Sequence, residues 1–184
     1  MAQKKNDRSL VSWPSNDKCE RVVGMATVEE RLTRLEDIEA IRRLKSRYCN
    51  ACDDGHDADA VATIFAPDAV WESTDHGPHR GHDEIRAAFQ GFGQAVSFSQ
   101  HNTTNLDIEV HGDRAVGTWH FIGVLDFHEA PAALGSTRYE EEYVKLDGEW
   151  RIQHLRAVRL AVLPIIGLRH RGPVPSDEST EARS

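Results

Sequence analysis

Elimination across a carbon–carbon bond needs a base for a carbon-bound proton and an acidic or electrostatic partner for the leaving group. The chain carries the residue types for this at a few positions. Neutral imidazole suits the base, because its unperturbed pKa of about 6.5 lies near working pH. A carboxylate on the second ring nitrogen would hold the tautomer and stabilise the imidazolium as it forms. His101 and Asp53 have the right types. Taken by type alone, however, Asp53 only ends a helix and His101 only starts a strand. Tyr48 could donate to a leaving hydroxyl or an enolate oxygen, or could serve as a core aromatic on a helical stripe. Arg159 shares strand parity with Leu155 and Ala157. An arginine among such neighbours calls for a partner. That partner is a substrate carboxylate, a leaving oxygen, or a structural carboxylate such as Glu141. His120, inside Trp119-His120-Phe121, is a second pocket candidate, with a satisfied core histidine as the plainer reading. Asn105 is a candidate polar wall.

Metal and redox chemistry find less support. His76, His79 and His82 recur every third residue, but in a Gly/Pro loop that holds no fixed coordination geometry. Cys49-x-x-Cys52 lies inside a helical pattern without the second pair that a zinc site needs. Half-buried thiols are the expectation there. Cys19 is the third cysteine. No metal and no organic cofactor is expected.

The elements that must position these residues follow from pattern. A length of 184 residues suits one domain with one core. The net charge of −8 repels phosphate backbones, and no basic patch offsets it, so nucleic acid is not an expected partner. Arg42, Arg43, Lys45 and Arg47 alternate with apolar positions and read as the wet face of a helix. No apolar run approaches the roughly 18 residues that span a bilayer. No signal peptide is visible, so neither a membrane nor secretion is expected and the cytoplasm is the default.

Residues 1–25 lack periodicity and read as a disordered leader, with Met25 as a candidate translation start. Thr27-Val28-Glu29-Glu30 is a capping-box pattern. Val28, Leu32, Leu35, Ile38, Ile41, Leu44 and Tyr48 then form one apolar stripe of a helix reaching about Cys52. Asp53-Asp54-Gly55-His56 breaks it, and a short helix follows from Ala58 to Phe65. Ala69–Glu72 reads as a strand, His76–His82 as a loop, and Asp83–Phe92 as a third helix. Four strands then follow. They are His101–Val110, Arg114–Phe127 after the His111-Gly112-Asp113 turn, Tyr139–Leu146 after a loop containing Pro131 and Gly135, and Trp150–Val162 after the Asp147-Gly148 hairpin signal. Residues from 169 on read as a disordered tail, leaving one domain over 26–168. Segregated helices followed by an antiparallel meander mean an α+β fold whose curved sheet encloses a cavity.

Parity raises one objection. Leu106, Ile108 and Val110 share a face, and strict alternation puts His101 on the other. A bulge near Thr103–Asn105 would return it to the cavity.

The stretch from Asp37 to Tyr48 with Asp53 five residues on, the run Phe65-Ala66-Pro67-Asp68-Ala69-Val70-Trp71, and the Tyr139-x-x-x-Tyr143 strand leading into Asp147-Gly148-Glu149-Trp150 resemble SnoaL-like proteins of the nuclear-transport-factor-2-like superfamily. The resemblance spans about Val28 to Leu160 and implies a cone: a curved antiparallel sheet wrapped on about three N-terminal helices. Bile acid 7α-dehydratase is the nearest pattern, with scytalone dehydratase and hexachlorocyclohexane dehydrochlorinase more distant. The resemblance implies that Asp53 orients His101 as a catalytic dyad, that Tyr48 joins it, and that Arg159 contacts substrate. Trp71 and Tyr143, in the matching stretches, join the substrate-binding set with His120 and Asn105. A second pocket tyrosine of the bile acid enzyme falls at Ser73, so the steroid substrate is not carried over.

Three functions compete. The first is a cofactor-independent lyase, a dehydratase of a small hydrophobic ring substrate (steroid-, polyketide- or aromatic-like). The second is an isomerase or polyketide-type cyclase using the same dyad. The third is a ligand-binding module without chemistry. The apolar run Ala161–Leu168 and the habits of the resembled proteins imply a homodimer or homotrimer.

Overall fold

A computed structural model describes residues 26–167. The expected leader and tail, Cys19 and Met25 lie outside the described residues. Helix α1 (Val28–Asp53) begins where the capping box requires. The Thr27 hydroxyl accepts from the Glu30 amide at 3.1 Å, and the Glu30 carboxylate accepts from the Thr27 amide at 2.8 Å. Helix α2 (Ala58–Ile64) is capped by Asp57, whose carboxylate accepts from the amides of Asp59 and Ala60.

Strand β1 (Phe65–Ser73) starts earlier than its apolar core suggests and includes Pro67. Two residues of the expected loop form β2 (His79–Arg80). Helix α3 spans Gly81–Ala95. The remaining strands are β3 (Val96–His111), β4 (Arg114–Phe127), β5 (Ala133–Leu146) and β6 (Glu149–Pro164). Gly135, expected in a loop, pairs with Gly123 inside β5.

The six strands form one open sheet in the order β2-β1-β6-β5-β4-β3. All neighbours are antiparallel except β1 and β6. The inner face carries Trp119, Phe121, Tyr139, Tyr143, Trp150, Ile152 and Leu155, all buried against Ile41, Leu44 and Tyr48 of α1 and Phe89 of α3. The architecture is the expected α+β cone.

Two expectations about α1 are corrected. Its apolar stripe does not face the core throughout: Val28, Leu32 and Leu35 are 72%, 54% and 63% exposed. Asp37 accepts from Lys145 Nζ at 2.7 Å and Trp150 Nε1 at 2.8 Å, next to the β5–β6 turn. The helix before Asp37 overhangs the sheet, and no described residue covers its apolar side chains. Lys45 is also not on the wet face. It is 1% exposed and ion-paired with Glu141, whereas Arg42, Arg43 and Arg47 are exposed. Position 45 follows Ile41 by four residues and precedes Tyr48 by three, which puts it on the buried face whatever its charge.

Of the apolar run Ala161–Leu168, Val162, Leu163 and Ile166 are exposed, as is Leu160 just before it, and Leu168 lies outside the described residues.

Candidate functional site

The open mouth of the cone holds a cavity of about 470 Å³, within the range of roughly 300–1,000 Å³ typical of small-molecule sites. Its apolar wall comes from Trp71 of β1, Phe89 and Phe92 of α3, Phe121 and Leu125 of β4, and Val162 of β6. Trp71, Phe89 and Phe92 meet edge-on or tilted, with ring centroids 5.3–5.5 Å apart.

His101 enters this cavity because β3 is bulged. Thr104 pairs with His120 and Asp107 with Thr118, so β3 spends one more residue than β4 over the same span. Asn105, at that irregularity, has φ +50°. His101 before the bulge and Ile108 after it therefore both face inward, as the parity argument required. Leu106 falls within the bulge and is 36% exposed rather than part of the apolar face.

At the end of α1, Asp53 meets His101 twice. Oδ2 accepts from the His101 backbone amide at 2.8 Å, and Oδ1 lies 2.6 Å from Nδ1. A carboxylate accepts there, so in the neutral ring Nδ1 carries the proton and Nε2 has the lone pair. Asp53 stands behind the ring, and only His101 lines the cavity. The Phe121 ring lies beside it, 4.7 Å between centroids. Gly123, opposite His101 on β4, makes room for both: a Cβ there would stand 2.1 Å from the Gln100 carbonyl and 2.5 Å from Phe121 Cζ.

Tyr48 lines the same cavity and accepts from Trp71 Nε1 at 3.2 Å. Burial, then the neighbouring Cys52, pushes its phenol well above the usual range, so it remains a protonated donor. Burial likewise raises the Cys52 thiol, which keeps it unreactive.

Other sequence candidates fall elsewhere. Arg159 does reach the cavity rim, but its ion pair is with Asp75 at 2.5 Å, not with Glu141. Glu141 is taken by Lys45 and by the Tyr143 hydroxyl. Tyr143 is buried in this core network, where its oxygen accepts from Trp119 Nε1 at 2.9 Å, and it does not line the cavity. His120 is exposed, because even-numbered residues of β4 point outward, so it is neither a pocket group nor a core histidine. Asn105 is exposed at the bulge and walls nothing. Of the three loop histidines, His76 lines the cavity 5.1 Å from the Phe92 ring, His79 lies on Trp71 at 5.6 Å, and His82 bonds the Phe65 carbonyl at 3.0 Å.

His56 is the cavity residue that sequence reasoning passed over, reading it only as part of a helix-breaking run. Gly55 and His56 both adopt left-handed backbone, φ +67° and +57°. The amides of His56 and Asp57 turn back onto the Cys52 and Ala51 carbonyls at 3.1 and 2.9 Å. This tight turn projects the ring into the cavity, 7% exposed and 6.5 Å from His101. Burial, then His101, lowers its pKa to about 4. The only visible signal was its place one residue after a helix-ending glycine.

That depression has a measurable consequence. An unfolded histidine titrates near 6.5, so between about pH 6.5 and about pH 4 the unfolded chain binds a proton that the folded chain refuses. Stability therefore falls as pH drops through this window, by about 3 kcal/mol for His56 alone. His56→Asn, which tolerates the left-handed backbone, is expected to lose that much less stability than wild type in urea melts between about pH 7.5 and about pH 4.5. Equal losses in the two proteins would contradict the assignment.

Comparison with known proteins agrees with this architecture. A family model described as "SnoaL-like domain" matches residues 33–156. The crystal structure of the hexachlorocyclohexane dehydrochlorinase LinA superposes with a TM-score of 0.72 at 24% identity, covering 78% of this chain and 99% of that one. A scytalone dehydratase-like protein of Novosphingobium aromaticivorans gives 0.68 at 20% identity, covering 79% and 98%. An aromatic ring hydroxylase-like protein of the same species gives 0.67 at 27%, covering 71% and 94%. Among the described residues, no helix is long and apolar enough to cross a membrane.

Proposed function

The chain belongs to the SnoaL-like family, and from that premise we propose that it is a cofactor-independent lyase, a dehydratase of a small hydrophobic ring substrate, with His101 as its base. The observation that carries this reading is the double contact of Asp53 on His101, through Nδ1 at 2.6 Å and the backbone amide at 2.8 Å, at the wall of an apolar cavity. A neutral ring held at these two points, with its tautomer fixed by the carboxylate, is organised as a base.

In the proposed reaction, Nε2 of His101 takes a proton from a carbon next to an activating group. The C–H electron pair becomes the new double bond as the C–O bond breaks. The departing oxygen receives a hydrogen bond from Tyr48 and the proton from the imidazolium, and leaves as water. Asp53 stabilises the imidazolium between these transfers. A positioned base of this kind contributes about 10²–10⁴-fold. The eliminations named for dehydratase- and dehydrochlorinase-type neighbours are consistent with this chemistry.

Mass-resolved turnover of β-hydroxy ketones, steroid thioesters and polyketide phenols by wild type and His101→Ala tests the proposal. Loss of one water by wild type, reduced at least about 100-fold in the variant, is the expected result. A product of unchanged mass that still depends on His101 would make the protein an isomerase or cyclase. Equal turnover in the two proteins would remove His101 as base.

A further inference from the structure

The cavity contains a polar group that the proposed elimination does not use. The His56 ring is more than nine-tenths buried and lines the cavity, where it meets the rings of Phe89, Phe92 and His101. Among the described residues no fully enclosed side-chain nitrogen or oxygen lacks a partner, so the polar edge of this ring opens to the cavity, where a ligand or water can meet it. Its backbone is over-determined by the left-handed turn, and α3 presses on that turn: a Cβ at Gly93 would stand 2.8 Å from the Gly55 carbonyl. The ring therefore has little freedom to seek a partner elsewhere.

We propose that His56 is the substrate-recognition residue of this site, donating a hydrogen bond to the carbonyl oxygen of an uncharged ring ketone whose α-carbon faces His101. The inference rests on the reading of His101 as base and deepens it by naming the substrate class. The rings of His56 and His101 are 6.5 Å apart, a gap that a carbonyl and its neighbouring carbon bridge when each nitrogen contacts its own atom. A hydrogen bond to that oxygen lowers the barrier to removing the adjacent proton, because the charge that develops there is met by a fixed donor.

The charges of the cavity argue for a neutral substrate. Among the described residues its lining holds one permanent cation and one permanent anion, Arg159 and Asp75, which are joined to each other. Lys45, behind the wall, is closed off by Glu141. With a pKa lowered to about 4, His56 stays neutral near pH 7 and offers a donor without a charge. A carboxylate entering here would lose its hydration without gaining a free cation.

Calorimetry with three bicyclic probes of similar size tests this: β-tetralone, its hydrocarbon tetralin, and β-naphthoate. Wild type is expected to bind β-tetralone about tenfold more tightly than tetralin, and β-naphthoate most weakly. In His56→Phe, which removes the donor, the tetralone-to-tetralin ratio is expected to fall to about one while tetralin binding holds, and in His56→Asn, which keeps a shorter amide donor, to fall less far. His101→Ala should keep the tetralone preference, so the loss of His101 as base and the loss of His56 as donor are read separately. In wild type itself, β-tetralone should shift the ¹⁵N resonances of the His56 ring and tetralin should not, which covers the case of a variant that does not fold. An unchanged ratio in His56→Phe, an unshifted His56 resonance, tightest binding of β-naphthoate, or failure of β-tetralone to bind would each overturn the proposal.

Discussion

Asp53→Asn is expected to lower turnover by about 10³–10⁴-fold with little change in stability. The wild-type carboxylate accepts two hydrogen bonds from one residue, from the His101 amide and from Nδ1. An amide offers one acceptor oxygen. If that oxygen keeps the backbone bond, its NH₂ group faces Nδ1 and drives the ring proton to Nε2. The nitrogen left to do chemistry is then already protonated. The substitution is nearly isosteric, so substrate affinity should change far less than kcat, and that split separates a tautomer error from a collapsed site. A fall of less than about tenfold in kcat, with folding intact, would show that the Asp53–His101 contact is structural.

Glu141→Ala is expected to destabilise the protein by about 3–5 kcal/mol. Glu141 is 3% exposed and binds both Lys45 and the Tyr143 hydroxyl. Removing it leaves the Lys45 ammonium buried, with only the faces of Tyr139 and Tyr48 at 3.6 and 4.6 Å to attract it. Such ring contacts are worth roughly 0.5–2 kcal/mol and do not replace a carboxylate. The informative partner is the double variant Lys45→Met, Glu141→Leu. With both charges gone and the volume kept, most of the lost stability should return, because a buried pair contributes little net beyond a hydrophobic replacement of the same shape. Urea unfolding of the two single variants and the double variant gives the coupling directly. Additive losses would mean that the two residues do not depend on each other. The same network supports the cavity, since Tyr48 and Tyr139 both line it and both rest on Lys45. The double variant should therefore fold while the geometry of its cavity loosens.

Local signals were legible in the chain wherever one residue or one short pattern decides the outcome. The Thr27–Glu30 capping box starts α1 because its two bonds close within four residues. Arg114–Phe127 is a strand from end to end because alternation and the flanking turns both mark it. The bulge that admits His101 was also legible, since an inward histidine and an inward Ile108 cannot coexist on an unbroken strand.

Partnerships between elements were not legible. Charge type suggested that Lys45 is wet, and position along the helix buried it. Parity brought Arg159 to the cavity rim, where it stays exposed, and only the path of the loop after β1 supplies Asp75 in place of Glu141. Tyr143 and His120 sit in strands that carry the right motifs, yet one lies too deep and the other on the outer face.

The sequence by itself thus determined the three helices, the five longer strands, their order and the family resemblance, and through that resemblance the two ends of the Asp53–His101 contact. The tertiary structure alone decided which buried charges pair, how much of α1 is covered, and that His56 shares a cavity with His101. Periodicity and caps are set by bonds a few residues apart, whereas ion pairs and cavity walls depend on distances between segments tens of residues apart.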